Sequence, residues 1–249
     1  MDFLRAIGLL TVLPLRPRWD EHTEPGRAMA FYPLTGALIG GLLAGLAYLL
    51  EKTPLPETTP LLPAALILAA WAGVTGGLHL DGWADCCDAL FVPVSRERRL
   101  EILRDPRLGS FGAIGLVVLL VVKLAAIQGV MASPARLSVL VIVPTVARWA
   151  LVLAAQAFPL ARPDGMAAHF RQGLGAREVT IATATVLVVA ALAAVLTGSR
   201  GLVALAVAPL VMLAMARLAM GRLGGLTGDV YGAIVELAET ASLVVACLV

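Results

Sequence analysis

Seven stretches of the chain stay mostly apolar, with short polar segments between them: 28–50, 60–80, 110–132, 137–159, 179–199, 201–217 and 230–249. About 20 such residues cross a bilayer as a helix. The pattern therefore predicts an all-α, polytopic integral membrane bundle of about seven transmembrane helices. Lys123 and Arg148 interrupt two of the stretches. The last one contains Glu236 and Glu239, and its uncharged part, 240–249, is too short to span alone. Six helices are thus expected outright, and the last is the marginal seventh. Residues 3–15 suit a short interfacial helix that Pro14 and Pro17 would end. No cleavage pattern follows them, so no removable signal peptide is expected. The longest polar segments, 81–109 and 159–178, are too short for a separate core. The chain reads as one transmembrane domain over 1–249.

Composition agrees. The 249 residues are 59% hydrophobic and only 14% charged, against about 25% charged in a soluble domain. The formal charge of +2 matters less than its distribution. With seven crossings, one side carries Arg5, Arg16, Arg18 and Arg27, then Arg96, Arg98, Arg99, Arg104 and Arg107, then Arg162, Arg171 and Arg177, and finally Arg217 and Arg222. The other side has Lys52, Arg136 and Arg200. Positive residues concentrate in cytoplasmic loops, which predicts a cytoplasmic N-terminus. Cys86, Cys87 and Cys247 have no metal-ligand spacing and read as small packing residues. Nothing points to nucleic acid. Gly36, Gly40, Gly41 and Gly45 could serve a tight helix contact, within the chain or in a homo-oligomer.

Two acidic clusters stand out in so apolar a chain. Asp81, Asp85 and Asp88 are spaced i, i+4, i+7, one narrow stripe of a helix. Asp229, Glu236 and Glu239 also share one face. Like charges so placed repel, and a low-dielectric surrounding amplifies the effect. A divalent ion such as Mg²⁺ would relieve the repulsion and act as a Lewis acid. The six carboxylates are therefore candidate metal ligands, with both helices converging on one site. His79, on another face, is a candidate base or hydrogen-bond donor or else a structural histidine. Between Arg104 and Gly115, the residues Arg104, Arg107, Gly109 and Ser110 resemble a phosphate clamp at a helix start, although a basic loop needs no ligand. Thr227, beside Asp229, could let a ligand approach. Arg148, inside a span, should find a carboxylate or phosphate partner, and Lys123 could snorkel or pair.

The run Gly76-Gly77-Leu78-His79-Leu80-Asp81-Gly82-Trp83-Ala84-Asp85-Cys86-Cys87-Asp88-Ala89-Leu90-Phe91 resembles the signature of the cobalamin synthase, or adenosylcobinamide-GDP ribazoletransferase, family. So do the segments 98–112, Ala147-Arg148-Trp149 and 225–239, in the same order. Trp83 and Cys86-Cys87 depart from the smaller or less reactive residues expected there. The resemblance implies a Mg²⁺-dependent polytopic enzyme of the bacterial plasma (inner) membrane, acting in late vitamin B12 assembly. Its substrates would be adenosylcobinamide-GDP and α-ribazole or α-ribazole 5′-phosphate, and it would release GMP. It suggests Asp81, Asp85, Asp88, Asp229 and His79 as catalytic residues, with Arg104, Arg107, Gly109, Ser110, Arg148 and Thr227 on the substrate. A CDP-alcohol phosphotransferase, a cation or proton transporter and a scaffold stay open as alternatives.

Overall fold

A computed structural model describes residues 1–15, 17, 23–54, 59–133, 135–197 and 199–248. Arg16, Arg18 and His22 lie outside the described residues. The elements run α1 (Asp2–Leu10), a 3₁₀ turn (Pro25–Phe31), α2 (Tyr32–Lys52), α3 (Leu62–Thr75), α4 (Leu78–Leu90), α5 (Arg96–Ile102) and α6 (Ser110–Met131). There follow α7 (Arg136–Ala157), α8 (Met166–Phe170), α9 (Ala176–Thr197), a second 3₁₀ turn (Arg200–Val203), α10 (Ala204–Leu223) and α11 (Gly228–Leu248). Among the described residues the fold is all-α, with a single parallel bridge between Leu160 and Leu226.

Six helical segments are long and apolar enough to cross a membrane, and a bent pair makes the possible seventh. That pair corrects the sequence reading. The stretch 60–80 is not one straight span, because α3 ends at Thr75 and α4 leaves it at 90°. Gly76 and Gly77 make the corner with φ of 63° and 70°, a left-handed conformation that residues with a Cβ rarely adopt. At 1.5 Å per residue the 14 residues of α3 reach only about 21 Å, short of a hydrocarbon core of about 30 Å. The last helix, expected to be marginal, is continuous over 21 residues and well buried. Its two glutamates find partners inside the bundle.

The centre of the bundle is α7, buried along most of its length. Gly36 and Gly40 of α2 lie against the α7 backbone at Pro144 and Leu140, while Gly41 and Gly45 face open space. Gly36 and Gly40 therefore serve a contact within the chain. At the N-terminal end, α1 is shorter than expected. It stops at Leu10, before either proline, where Thr11 turns extended and its hydroxyl donates to the Ile7 carbonyl (2.7 Å). Val12 then donates its N–H to the Val74 carbonyl at the end of α3 (2.9 Å).

Further ties close the same end. The Gly26 N–H donates to Gln172 (2.7 Å), and Leu226 pairs with Pro159 and Ala161 (both 2.9 Å). Two arginines of the α4–α5 region hold helix ends. Arg96 Nε donates to the Leu223 carbonyl at the end of α10 (2.7 Å). Buried Arg99 donates to Ala89 and Leu90 at the end of α4 (2.5 and 2.9 Å). Cations there complete unsatisfied carbonyls and complement the helix dipole.

Candidate active site

The site is built on a crossing of α4 and α11. A Cβ on Gly82 would lie 2.8 Å from the Asp229 carbonyl oxygen, and one on Gly232 would lie 3.2 Å from the His79 carbonyl oxygen. Glycine at both positions lets the backbones meet, as between closely packed membrane helices. The first turn of α4, with Asp81, then stands beside the first turn of α11, with Asp229. Asp85, one turn further along α4, is near enough to Asp81, Asp88 and Asp229 to feel their charges. Among the described residues, none of Asp81, Asp85 or Asp229 forms an ion pair. Thr227 fixes Asp229: its hydroxyl donates to Oδ2 (3.1 Å) and accepts the Val230 N–H (3.4 Å) as a helix cap.

A cavity of about 360 Å³ opens beside this crossing. His79, Asp81, Gly82, Gly228, Asp229, Tyr231 and Gly232 form one side of it. The rest is mostly apolar, Leu9 and Leu10 of α1, Met29, Leu78, Leu151 of α7, and Met166, Ala167 and Phe170 of α8, with buried Tyr32 at the start of α2. His79 is 4% exposed, and its Nδ1 has no hydrogen-bond partner among the described residues. Arg162 is close enough to Asp229 to act on its charge. Sequence reasoning assigned no site role to α1, α8 or Arg162. The brevity of α8 and the positive-inside role of Arg162 hid them, and the amphipathic start of the chain was the one signal available.

The remaining candidates lie elsewhere. Asp88, at the far end of α4, receives the N–H groups of Gly109 (to Oδ2) and Gly112 (to Oδ1), both at 2.8 Å. A Cβ on either glycine would collide with that carboxylate. The helix start read as a phosphate clamp thus holds the protein's own anion, the same physics with an internal ligand. Ser110 is exposed beside it. The contact continues along α6, where the Trp83 indole donates to the Gly115 carbonyl (2.9 Å) and Cys87 packs against Gly115. The departures at Trp83 and Cys87 are therefore packing residues. Arg107 is bound two-pronged to Asp105 (2.8 and 2.6 Å). That guanidinium holds the exposed Asp105 carboxyl down to about 2. Arg104 is exposed. Neither arginine lines the cavity.

Glu236 and Glu239 also part from Asp229. The Lys123 ammonium reaches both, at 2.8 and 2.5 Å, and sits 4.4 Å from the Trp71 ring centroid. Arg148, fully buried, pairs with Glu239. Two cations and two anions thus form a neutral knot joining α6, α7 and α11, and Arg148 meets a carboxylate rather than a substrate. The shared helical face is real, but Glu236 lies about 10 Å and Glu239 about 15 Å along the axis from Asp229. Consistently, among the described residues no three His, Cys, Asp or Glu side chains are grouped to hold a metal ion. Trp149, next to Arg148, donates its indole N–H to Thr183 of α9 (2.9 Å).

Fold and site together define a polytopic bundle of membrane-length helices with a half-apolar cavity floored by unpaired carboxylates. Comparison with known proteins gives the particular family. The cobalamin-5-phosphate synthase family model matches residues 2–247. The chain is 39% identical to an adenosylcobinamide-GDP ribazoletransferase of Pseudomonas savastanoi pv. phaseolicola, covering 100% of this chain and 99% of that one. A protein of the same name from Pseudomonas paraeruginosa is 40% identical over 99% and 98%, and one from Roseiflexus is 37% identical over 96% and 86%. No solved structure matches the chain. The chain belongs to the cobalamin-5-phosphate synthase family, a family of enzymes of cobalamin biosynthesis, and the transporter, scaffold and CDP-alcohol alternatives fall away.

Proposed function

We propose that this chain joins α-ribazole, or its 5′-phosphate, to adenosylcobinamide-GDP, giving adenosylcobalamin or its phosphate and GMP. The relatives' names describe that transfer. The single observation that supports it here is the glycine crossing that sets Asp81 and Asp229 unpaired on one cavity. The reaction sits on the cytoplasmic side of the inner membrane, the side on which the arginine-rich segments cluster.

Mg²⁺ suits a sparser donor set than a three-carboxylate cage: Asp81 and Asp229, both on the cavity and neither in an ion pair among the described residues, offer two hard oxygen ligands, and such an ion completes its shell with water and substrate phosphate oxygens. Those two carboxylates would hold the ion, which when bound supplies a Lewis acid for a diphosphate. In the transfer, the ribose oxygen of ribazole forms a bond to the phosphorus attached to cobinamide. The phosphoanhydride bond beyond it breaks, and the bridging oxygen leaves with GMP. The hydroxyl proton passes to Asp81, which lines the cavity. Thr227 keeps Asp229 oriented through its hydrogen bond. Arg162, within electrostatic reach of Asp229, offers charge to the departing phosphate. Purified chain in liposomes, given both substrates and Mg²⁺, should form adenosylcobalamin and GMP in equal amounts and stop on chelation. A chain that is folded yet makes neither product overturns the proposal.

A further inference from the structure

Of the two substrates in that reading, one is a corrinoid carrying a nucleoside diphosphate. The other is a nucleoside whose base is a flat, apolar benzimidazole. The cavity of about 360 Å³ lies at the small end of ligand sites, which run from about 300 to 1,000 Å³. A corrin macrocycle does not fit in it, and a nucleoside does. Its lining divides in the way a nucleoside divides. Leu10 and Met29, each 3% exposed, form the inner apolar wall, and Met166, 79% exposed, stands on the lip with Phe170. Asp81 and Asp229 occupy the opposite side. An apolar base gains by leaving water for such a wall, and methionine sulfur packs well on aromatic faces. A diphosphate has no cation among the lining side chains and meets the two carboxylates only through the ion they would hold, so its place is at the rim and not along the apolar wall.

Resting on the proposed function, we infer that this cavity is the acceptor site, taking the benzimidazole base of ribazole between Leu10, Met29, Met166 and Phe170. The ribose then reaches the carboxylate side, beside Asp81 and Asp229. The corrinoid stays outside and brings only its diphosphate to the rim. The base-binding wall comes from α1, α8 and the 3₁₀ turn before α2. The carboxylates come from α4 and α11, so recognition and chemistry are carried by different elements.

Two variants of the full chain in nanodiscs test this. Leu10→Trp fills the inner wall, and Met166→Ser changes an exposed lip residue that the fold does not need. The KM for α-ribazole should rise at least about tenfold in the first and by a smaller factor in the second, while the KM for adenosylcobinamide-GDP stays within about twofold. A rise in the corrinoid KM, or no change in the ribazole KM for Met166→Ser, overturns the assignment. Equilibrium dialysis of labelled α-ribazole separates this inference from the reading beneath it. If the wild-type chain makes no cobalamin but binds ribazole, with binding weakened in Met166→Ser, the proposed reaction falls and the acceptor site stands. If the wild type makes cobalamin and the variant binds and uses ribazole unchanged, the acceptor site falls alone.

Discussion

The two groups of carboxylates on α11 and its neighbours have opposite fates. Glu236 and Glu239 are buried, and two cations answer them, Lys123 and Arg148. Asp81 and Asp229 line a cavity and Asp85 follows one turn along α4, none of them in an ion pair among the described residues. In the first group every charge is compensated by the chain itself, which marks a contribution to assembly. In the second no side chain among the described residues forms an ion pair, and only Arg162 acts on Asp229 from a distance, which marks a place for a ligand. Acidity alone does not separate the two roles; the partner does.

The sharpest test of that contrast is neutralisation of one rim carboxylate. Asp81→Asn or Asp229→Asn should lower turnover at least about a hundredfold while the melting temperature holds or rises, because a repulsion is relieved. Near-normal cobalamin formation by either purified variant would break the comparison at its functional end. The knot should behave in reverse. Lys123→Met leaves two glutamates to one arginine and should destabilise the bundle by about 3–5 kcal/mol, read by unfolding in nanodiscs. Adding Glu236→Gln removes the surplus charge and should recover most of that loss, with activity returning as the folded fraction does. A stable but inactive double variant would place the knot in the chemistry instead.

Smaller effects sharpen the geometry. Gly82→Ala sets a Cβ 2.8 Å from the Asp229 carbonyl oxygen, so α4 and α11 must part, at about 1–3 kcal/mol of overpacking and with a drop in turnover. Rescue by a larger cavity residue is not expected, since the collision is with backbone. Asp88→Asn keeps an acceptor for Gly109 or Gly112 but loses the charge on the start of α6. It should lower stability by about 1 kcal/mol and turnover far less than Asp81→Asn. Least of all, Asp105→Asn, which removes an exposed and solvent-screened pair, should move melting temperature only slightly and leave turnover unchanged at pH 7. Its folded carboxyl is held down to about 2, below the ordinary 3.8. The pair is therefore fully made above the ordinary value and is lost only as pH falls towards 2. A pH profile of turnover between 5 and 8 should not report it.

Much of the fold was legible because hydropathy runs of bilayer length are a local signal. Six of the seven apolar stretches appear as continuous helices. The exception turned on two residues, Gly76 and Gly77, whose left-handed backbone ends α3 early. Hydropathy averages over such a corner, because Leu78 and Leu80 keep the run apolar beyond it. The candidate site was legible by motif and half legible by geometry. Helical geometry gives the direction of a side chain and, at about 1.5 Å per residue, its distance along the axis, but not which residue of another helix meets it at that depth. That is why Asp88, Glu236 and Glu239 shared faces with the cavity acids and yet ended on Gly109 and Gly112, on Lys123, and on Lys123 with Arg148. Their partners lie 21 to 116 positions away in sequence, beyond the reach of any local pattern. The apolar wall from α1 and α8 was hidden for the same reason.

The charge knot also bears on how such a chain is made. Lys123 and Arg148 are synthesised and placed in the bilayer long before α11 emerges, and each bare ion near a helix centre carries a penalty of about 2.5–3.5 kcal/mol during insertion. α11 brings two bare glutamates of its own and completes the set. Insertion of the final helix is thereby coupled to recognition of α6 and α7, so α11 acts as a latch that only a correctly threaded bundle can close.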